Sequence, residues 1–291
     1  MKKNILKVAV VLGLLTAFVV LPRTHAQDDT ADIQAASADH IAATVFQAAG
    51  PTAASIQSTV DQYRNALGLQ NNLNNAGPLA VGRREINWDG GNPALLATAV
   101  AGNPFPGFLV TRGALFTTPD GTGFVQAPVS ADPTLLPPGG LAGLFNNPTY
   151  ATTFKAFSNS RLFSAIGGKV TEVDFFVPGG GNVPATVTGF GAVFSDVDQP
   201  DGSGPARKRG NRNSSTLIEY YGASGELLFS SYVPAAPGDA SLSFFGIVLA
   251  DARIAHVRIT SGDVAPGPDD SQKQDVVMMD DFIYGEPQPV H

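Results

Sequence analysis

Short apolar segments that alternate with polar positions fill the second half of this chain. In residues 254–259, His256 and Arg258 stand two positions apart and therefore share one face of an extended strand. Comparable segments are rich in β-branched and aromatic residues and are bounded by Gly, Pro, Asn or Asp, which favours strands joined by turns. They lie at residues 162–163, 170–177, 187–194, 216–221, 227–233, 242–248, 254–259 and 276–284. Because no helical pattern separates them, the sequence predicts an all-β fold, an antiparallel β-sandwich of jelly-roll type.

One segment before these strands has helical periodicity. Its apolar positions recur at the spacing of one helix face: Ile56, Val60, Tyr63 and Leu67. Pro51 precedes the segment and Gly68 follows it, which is typical of helix boundaries. Further along, residues 108–110 and 114–117 are strand candidates, and the spacing of aromatic residues in 147–154 indicates a short helix or turn.

The chain begins with the features of a secretory signal peptide. Three lysines within the first seven residues precede an uncharged, largely apolar run of 13 residues at 8–20. The small residues Thr24 and Ala26 then suit cleavage after Ala26. A membrane anchor is the alternative, but a bilayer span needs about 20 apolar residues. We therefore predict an exported protein, secreted, periplasmic or at the cell surface, with no membrane span after cleavage.

Charge and composition narrow the partners of the exported part. Cleavage leaves 14 basic and 25 acidic residues, a formal charge of −11. This charge disfavours nucleic acid and is compatible with divalent cations and neutral glycans. Gly (32) and Pro (22) are abundant, yet 43% of residues are hydrophobic, so we expect turns between apolar strands and not disorder. We divide the chain into residues 1–26, the signal peptide; 27–81, an N-terminal arm and the amphipathic helix; 82–287, the sandwich; and 288–291, a tail.

Two motifs carry a resemblance to known proteins. They are GRREINWDG at residues 82–90 and MDDFIYGEP at residues 279–287, and GFGAVF at 189–194 accompanies them. Together they resemble a family of secreted bacterial proteins. The resemblance covers about residues 44–287 and implies no known activity.

More broadly, the chain resembles jelly-roll carbohydrate-binding modules and galactose-binding-like domains. In several such modules, an acidic residue of the final strand binds a structural Ca²⁺ with ligands from near the start of the domain. The resemblance implies this role for Asp280 and Asp281, with Glu85 or Asp89 as partners. It also implies recognition of a glycan or another surface component. Trp88 is the single tryptophan, whereas such modules often use exposed tryptophans against sugar rings.

The densest acidic segment is a second candidate for Ca²⁺. Asp196, Asp198 and Asp201 form the pattern D-x-D-x-x-D-G. Ca²⁺ takes about six to eight oxygen ligands, and alternating carboxylates on a glycine-containing loop supply several of them. The spacing and the missing Glu at the twelfth position exclude an EF-hand. The alternative is a solvated turn, and we interpret the acidic residues in 269–275 in that way.

Catalytic residues are hard to find in this sequence. The chain contains no cysteine, and it has no G-x-S-x-G motif for a serine nucleophile. Paired carboxylates for glycoside hydrolysis stay open, with Glu85, Glu172 and Glu219 as first candidates. For Glu85 the simpler interpretation is an ion pair with an arginine, while Trp88 packs in the core.

We therefore predict a secreted, non-enzymatic binding or surface-associated module, glycan-recognising and stabilised by Ca²⁺, with no catalytic residue. A structural protein of the cell surface or matrix is one alternative. A glycan-active hydrolase that uses paired carboxylates is the other.

Overall fold

The computed structural model describes residues 42–90, 98–129, 139–198, 216–250, 253–271 and 274–290. The signal peptide, residues 27–41 and Asp201 lie outside these ranges. The strands are, in chain order, β1 (Ala43–Gly50), β2 (Arg83–Ile86), β3 (Ala99–Gly102), β4 (Phe105–Phe108), β5 (Ala114–Thr117), β6 (Gly123–Pro128), β7 (Arg161–Ile166), β8 (Val170–Phe175), β9 (Ala185–Thr186), β10 (Gly189–Ser195), β11 (Leu217–Tyr221), β12 (Leu227–Tyr232), β13 (Leu242–Leu249), β14 (His256–Thr260), β15 (Met278–Gly285) and β16 (Gln288–Pro289). The helices are α1 (Ala53–Leu67), α2 (Leu109–Arg112), α3 (Gly140–Leu144) and α4 (Tyr150–Thr153).

Two antiparallel sheets pack face to face. Sheet A has the strand order β1-β13-β10-β15-β7-β6-β3, and β2 pairs with β15 beside this path. Sheet B has the order β12-β11-β14-β8-β5-β4, and β9 pairs with β16 in a separate ladder. From β7 to β15 the chain crosses between the sheets at nearly every connection, as in jelly rolls. The predicted antiparallel β-sandwich is therefore confirmed.

Strand alternation fills the space between the sheets. In β14, Val257 and Ile259 are fully buried, whereas His256 and Arg258 share the outward face, so the prediction that they lie on one face is confirmed. Trp88 is 1% exposed and stacks on Phe163 with 3.7 Å between ring centroids. The predicted core position of Trp88 is thus confirmed, and its rings fix the contact between β2 and the centre of sheet A.

Helix α1 covers the outer face of sheet A. Its predicted apolar face is the face that is buried: Ile56, Val60, Tyr63 and Leu67. The Tyr63 ring lies over Gly191 and Gly246, which are paired on β10 and β13. A Cβ on either glycine would approach the ring within 2.9 to 3.0 Å, so the two glycines make room for it. The Tyr63 hydroxyl donates to the carbonyl of Ile247 at 3.2 Å.

Two local assignments differ from the sequence prediction. Residues 43–50, which we assigned to the N-terminal arm, form the edge strand β1 and pair with β13 along its whole length. Their sequence, ATVFQAAG, lacks clean alternation, so pairing with β13 and not local pattern selects the strand. The strand predicted at 108–110 is interrupted because α2 begins at Leu109 and ends at Arg112, where Gly113 follows with a φ of +71°. No helix in the described ranges is long and apolar enough to cross a membrane.

Candidate functional site

Asp280 and Asp281 lie in β15, where the chain runs beneath α1. Asp280 is completely buried, and its Oδ2 accepts the backbone N–H groups of Phe157 at 2.6 Å and Ser158 at 3.3 Å. Its Oδ1 accepts the N–H of Asp281 at 2.9 Å. Burial, and then the charge of Asp281, raise the pKa of Asp280 well above its usual value. Backbone donors therefore occupy both oxygens of this carboxyl group.

Asp281 has side-chain donors. Its Oδ1 accepts the hydroxyl of Ser158, and its Oδ2 lies 3.3 Å from Nη2 of Arg64 on α1. Burial raises the pKa of Asp281 to about 6, although Ser158 and Arg64 act in the opposite direction. Arg64 also pairs with Glu85, which is 2.7 Å from Nε of Arg83. The expected pairing of Glu85 with an arginine is thus confirmed.

Asp89 completes what we call the Asp280 network: Asp280, Asp281, Glu85, Asp89 and their donors. Asp89 Oδ1 accepts the N–H groups of Ser160 at 3.0 Å and Arg161 at 2.9 Å, while its Oδ2 is buried without a partner among the described residues. The indole N–H of Trp88 donates to the carbonyl of Asp280 at 3.1 Å. The two ends of the domain do meet here, as the resemblance implied. Protein donors already occupy most of the oxygens that a cation would need. A Ca²⁺ ion at these residues stays a prediction.

Asp196 lies in a different environment. It follows β10 with a φ of +71°, its side chain is 0% exposed, and neither carboxyl oxygen has a hydrogen-bond partner in the described part of the chain. Asp239 and Asp270 come from two other loops, and each offers an oxygen, all three atoms lying within 4.8 Å of one another. Burial, followed by the neighbouring carboxylates, raises the pKa of Asp196 to about 9, and burial raises that of Asp270 to about 7. Within the described ranges, this is the grouping whose geometry suits a metal ion.

Two further acids belong to what we call the Asp196 cluster: Asp196, Asp198, Asp239, Asp270 and Asp275. Asp275 is 1% exposed, and burial raises its pKa to about 8. The backbone N–H of Asp198 is close enough to lower the pKa of Asp275. It does not form a hydrogen bond with either carboxyl oxygen of Asp275. Asp198 Oδ1 accepts the N–H of Gly238 at 2.7 Å and so holds the loop that carries Asp239. The interpretation of the acidic residues in 269–275 as a solvated turn is wrong for Asp275, because its side chain is buried and does not reach solvent.

The outer face of sheet B carries a third group of functional side chains. Neighbouring strands align Tyr221, His256 and Asp174 in one row. The next row consists of Glu219, Arg258 and Glu172. The side chains are 27% exposed for His256 and 41% exposed for Arg258, so they reach solvent on a rigid sheet.

Each of these side chains is held by a neighbour. The Tyr221 hydroxyl donates to Glu219 Oε1 at 3.1 Å, and His256 Nδ1 lies 2.8 Å from Asp174 Oδ1. The Tyr221 and His256 rings are 5.6 Å apart between centroids. Arg258 Nη1 lies 3.6 Å from Glu172 Oε1. The arrangement presents two rings and a guanidinium group in fixed positions.

Two shallow depressions adjoin these rows. One, of about 310 Å³, is lined by Tyr221, Gly222, Gly225, His256 and Arg258. The other, of about 360 Å³, has mainly apolar walls, and Asp174 is one of its lining residues. Because Asp174 contacts His256, which lines the first, the two depressions are neighbours.

Sequence reasoning found some of these groups and missed others. It placed His256 and Arg258 on one face, but it gave Tyr221 and Asp174 no role, although strand alternation could have placed them there. Asp239 gave no signal, because it stands alone between Gly238 and Ala240. Comparison of the chain with protein-family models, with curated proteins and with solved structures found no match, so the geometry of these sites carries the functional argument.

Proposed function

We propose that this protein is an exported, non-enzymatic binding module that holds a neutral saccharide on the outer face of sheet B. The observation that carries the proposal is the row of Tyr221, His256 and Asp174 beside Arg258, with two depressions along it. Sugars present apolar C–H faces that pack on flat rings, and hydroxyl groups that both donate and accept hydrogen bonds. Aromatic side chains with a polar atom suit both needs.

The charge of this face favours a neutral ligand. Three carboxylates, those of Glu172, Asp174 and Glu219, stand against the single guanidinium of Arg258. The whole chain carries a formal charge of −7, so a polyanion would be repelled both locally and at long range. A glycan without carboxylate or sulfate groups meets neither penalty.

The side chains of this face are already held in place, which supports binding. Tyr221 is fixed by Glu219 and His256 by Asp174 before any ligand arrives. Immobilising a free side chain costs about 0.5–1.5 kcal/mol on association, and a pre-organised face avoids much of this cost. A flat and shallow face also suits a polymer, because a long chain can lie along the strands.

Export is part of the proposal and rests on residues 1–26. Its test is N-terminal sequencing of the protein recovered from the periplasm or medium. We expect the sequence to begin at Gln27. A mature protein that retained Lys2 and Lys3 would contradict the predicted cleavage.

The ligand is tested by a glycan-array screen of the purified protein, followed by calorimetric titration. Replacing Tyr221 or Arg258 by Ala should weaken binding at least tenfold, or about 1.4 kcal/mol. Tyr232→Ala is the matched control, because the register puts Tyr232 opposite Leu217, about 14 Å further along the same face. If no neutral glycan binds, or if Tyr232→Ala weakens binding as much as Tyr221→Ala, the results favour a structural surface protein instead.

A specific observation supports glycoside hydrolysis as a second candidate function. Glu172 and Glu219 lie in the same row on either side of Arg258, and strands two apart are separated by about 9.6 Å. Carboxyl groups of inverting glycosidases are about 6.5–9.5 Å apart. Release of reducing ends from a bound glycan, abolished by Glu172→Gln and by Glu219→Gln, would favour the hydrolase. Tight binding without release favours the binding module.

A further inference from the structure

We infer that Asp196, Asp239 and Asp270 bind a divalent cation at one end of the sandwich, and that Ca²⁺ is the cation that fits best. The inference goes beyond the saccharide face and does not depend on it, because no residue is shared between the two sites. It rests on the burial of Asp196, on the convergence of three loops and on the kind of ligand atoms that they offer.

The first observation is that Asp196 has no donor. Its side chain is 0% exposed, and both oxygens lack a hydrogen-bond partner in the described residues. An ionised carboxylate that is removed from water without a partner is strongly unfavourable, so buried charges in proteins are paired or bind metals. The buried oxygens of Asp196 lie close to carboxylate oxygens of Asp239 and Asp270, which share its charge.

The second observation is the sign of the surrounding charge. The groups whose charges act most strongly on Asp196 are all carboxylates: Asp270, Asp198, Asp239 and Asp275. Burial first, and then repulsion by these carboxylates, make the charged form of Asp196 unfavourable. A divalent cation between them would convert this repulsion into attraction and would displace any bound proton.

Three separate loops place the ligands. Asp196 directly follows β10, Asp239 precedes β13, and Asp270 precedes β15. The N–H of Asp196 donates to the carbonyl of Ser241 at 3.1 Å, and the N–H of Val276 donates to Asp270 Oδ1 at 2.9 Å. A cation would therefore tie together the ends of three neighbouring strands of sheet A.

The ligand atoms favour Ca²⁺ over other metals. All three ligands are carboxylates, which suits hard cations, whereas zinc sites are usually built from Cys and His. Asp239 is exposed, so water can complete a coordination shell of about six to eight oxygens. Mg²⁺ demands a near-ideal octahedron and keeps several waters, which fits less well with a fully buried ligand such as Asp196.

The test is calorimetric titration of the purified, chelator-treated protein with Ca²⁺ and with Mg²⁺, together with thermal unfolding in each. We expect one Ca²⁺ per chain, a midpoint several degrees higher in millimolar Ca²⁺ than in EGTA, and a smaller effect of Mg²⁺. Asp239→Asn changes an exposed ligand and should leave the fold intact while it weakens Ca²⁺ binding at least tenfold. Asp269→Asn is the matched control. Asp269 precedes Asp270 in the chain, but its Oδ1 accepts the hydroxyl of Thr149 at 3.3 Å and is not one of the three converging carboxylates.

Two results would overturn the inference. One is the absence of Ca²⁺ binding at millimolar concentration, and the other is binding that Asp196→Asn and Asp239→Asn leave unchanged. Saccharide binding is measured separately with Tyr221→Ala, so failure of one proposal is distinguishable from failure of the other.

Discussion

Each of two groups of carboxylates in this sandwich has a fully buried member, Asp280 in one and Asp196 in the other, and the donors around these two residues differ. In the Asp280 network, backbone N–H groups, a serine hydroxyl and Arg64 point at the carboxyl oxygens. In the Asp196 cluster, the buried oxygens of Asp196 face other carboxylates and have no donor among the described residues. Asp196 and Asp280 are both fully buried, and burial raises the pKa of each, so burial and titration alone do not distinguish them.

The difference shows what separates a structural carboxylate from a candidate cation ligand. Asp280 resembles a capping residue, because it accepts the N–H groups of Phe157 and Ser158 and so fixes the segment over sheet A. Asp196 makes no such bond, and its nearest acidic partners, Asp239 and Asp270, arrive from separate loops. The supply of donors is therefore the property that assigns Asp280 and Asp196 to different roles.

The largest effect is expected from Asp280→Ala. This change leaves the partly buried N–H groups of Phe157 and Ser158 without their acceptor, and we expect a loss of about 3 kcal/mol in the free energy of unfolding. Urea unfolding measures it, in Ca²⁺ and in EGTA. The loss should be the same in both. A loss that Ca²⁺ alters would mean that the Asp280 network is itself a cation site.

The effect of Asp196→Asn on the free energy of unfolding should change sign when Ca²⁺ is added. In EGTA at pH 8 the folded parent protein keeps Asp196 protonated, because its pKa is about 9, whereas the unfolded chain ionises it. Asn avoids this cost of folding, so the variant should be at least as stable as the parent protein. With Ca²⁺ at 100 times its dissociation constant, the parent gains about 2.7 kcal/mol that the variant lacks. The measurement is urea unfolding in the two conditions. Equal stability differences in both would contradict a cation role for Asp196.

The pH dependence of stability separates the protonated cluster from the cation-bound cluster. The folded-state pKa of Asp196 is about 9, above its value of 3.8 in the unfolded chain, so the folded protein holds the extra proton. Its contribution to stability is present below pH 4 and is lost as the pH rises towards 9. Asp198, Asp239, Asp270 and Asp275 face this group, and all are acidic.

We therefore expect stability in EGTA to fall between pH 6 and 8 by on the order of 1 kcal/mol per pH unit. Asp270, Asp275, Asp280 and Asp281 contribute a fall of the same sign, so the share of Asp196 is the part of the slope that Asp196→Asn removes. Saturating Ca²⁺ should flatten that part as well. A slope that neither Ca²⁺ nor Asp196→Asn changes would contradict the proposed exchange of protons for the cation.

Ser158→Ala gives the smallest expected effect. The hydroxyl of Ser158 donates to Asp281, and its removal should cost about 1 kcal/mol and raise the pKa of Asp281 further. Unfolding curves and carboxyl titration by NMR measure the two changes. Ca²⁺ affinity should stay unchanged. Altered Ca²⁺ binding in this variant would link two groups that the structure keeps apart.

Local pattern in the sequence predicted what depends on neighbours in the chain. The spacing of Ile56, Val60, Tyr63 and Leu67 identified the buried face of α1, and alternation put His256 and Arg258 on one face of their strand. Trp88 was expected in the core for the same reason. These features follow from helix and strand periods, which one short segment is enough to reveal.

The Asp196 cluster shows where sequence reasoning stops. Asp196 and Asp198 belong to a visible acidic run, but Asp239 and Asp270 reach the same place only because β10, β13 and β15 are neighbours in sheet A. Strand order is set by non-local pairing and leaves no local trace in the sequence. The same limit applies to β1, whose partner β13 lies about 200 residues further along the chain.

The most direct test of the account is the anomalous diffraction of calcium in crystals grown with Ca²⁺, compared with crystals grown in EGTA. We predict one anomalous peak between Asp196, Asp239 and Asp270, with carboxylate oxygens at about 2.3–2.6 Å from it, and no peak in EGTA. No peak at the Asp196 cluster, or a peak at Asp280 and Asp281 in its place, would contradict the assignment of the two groups by their donors.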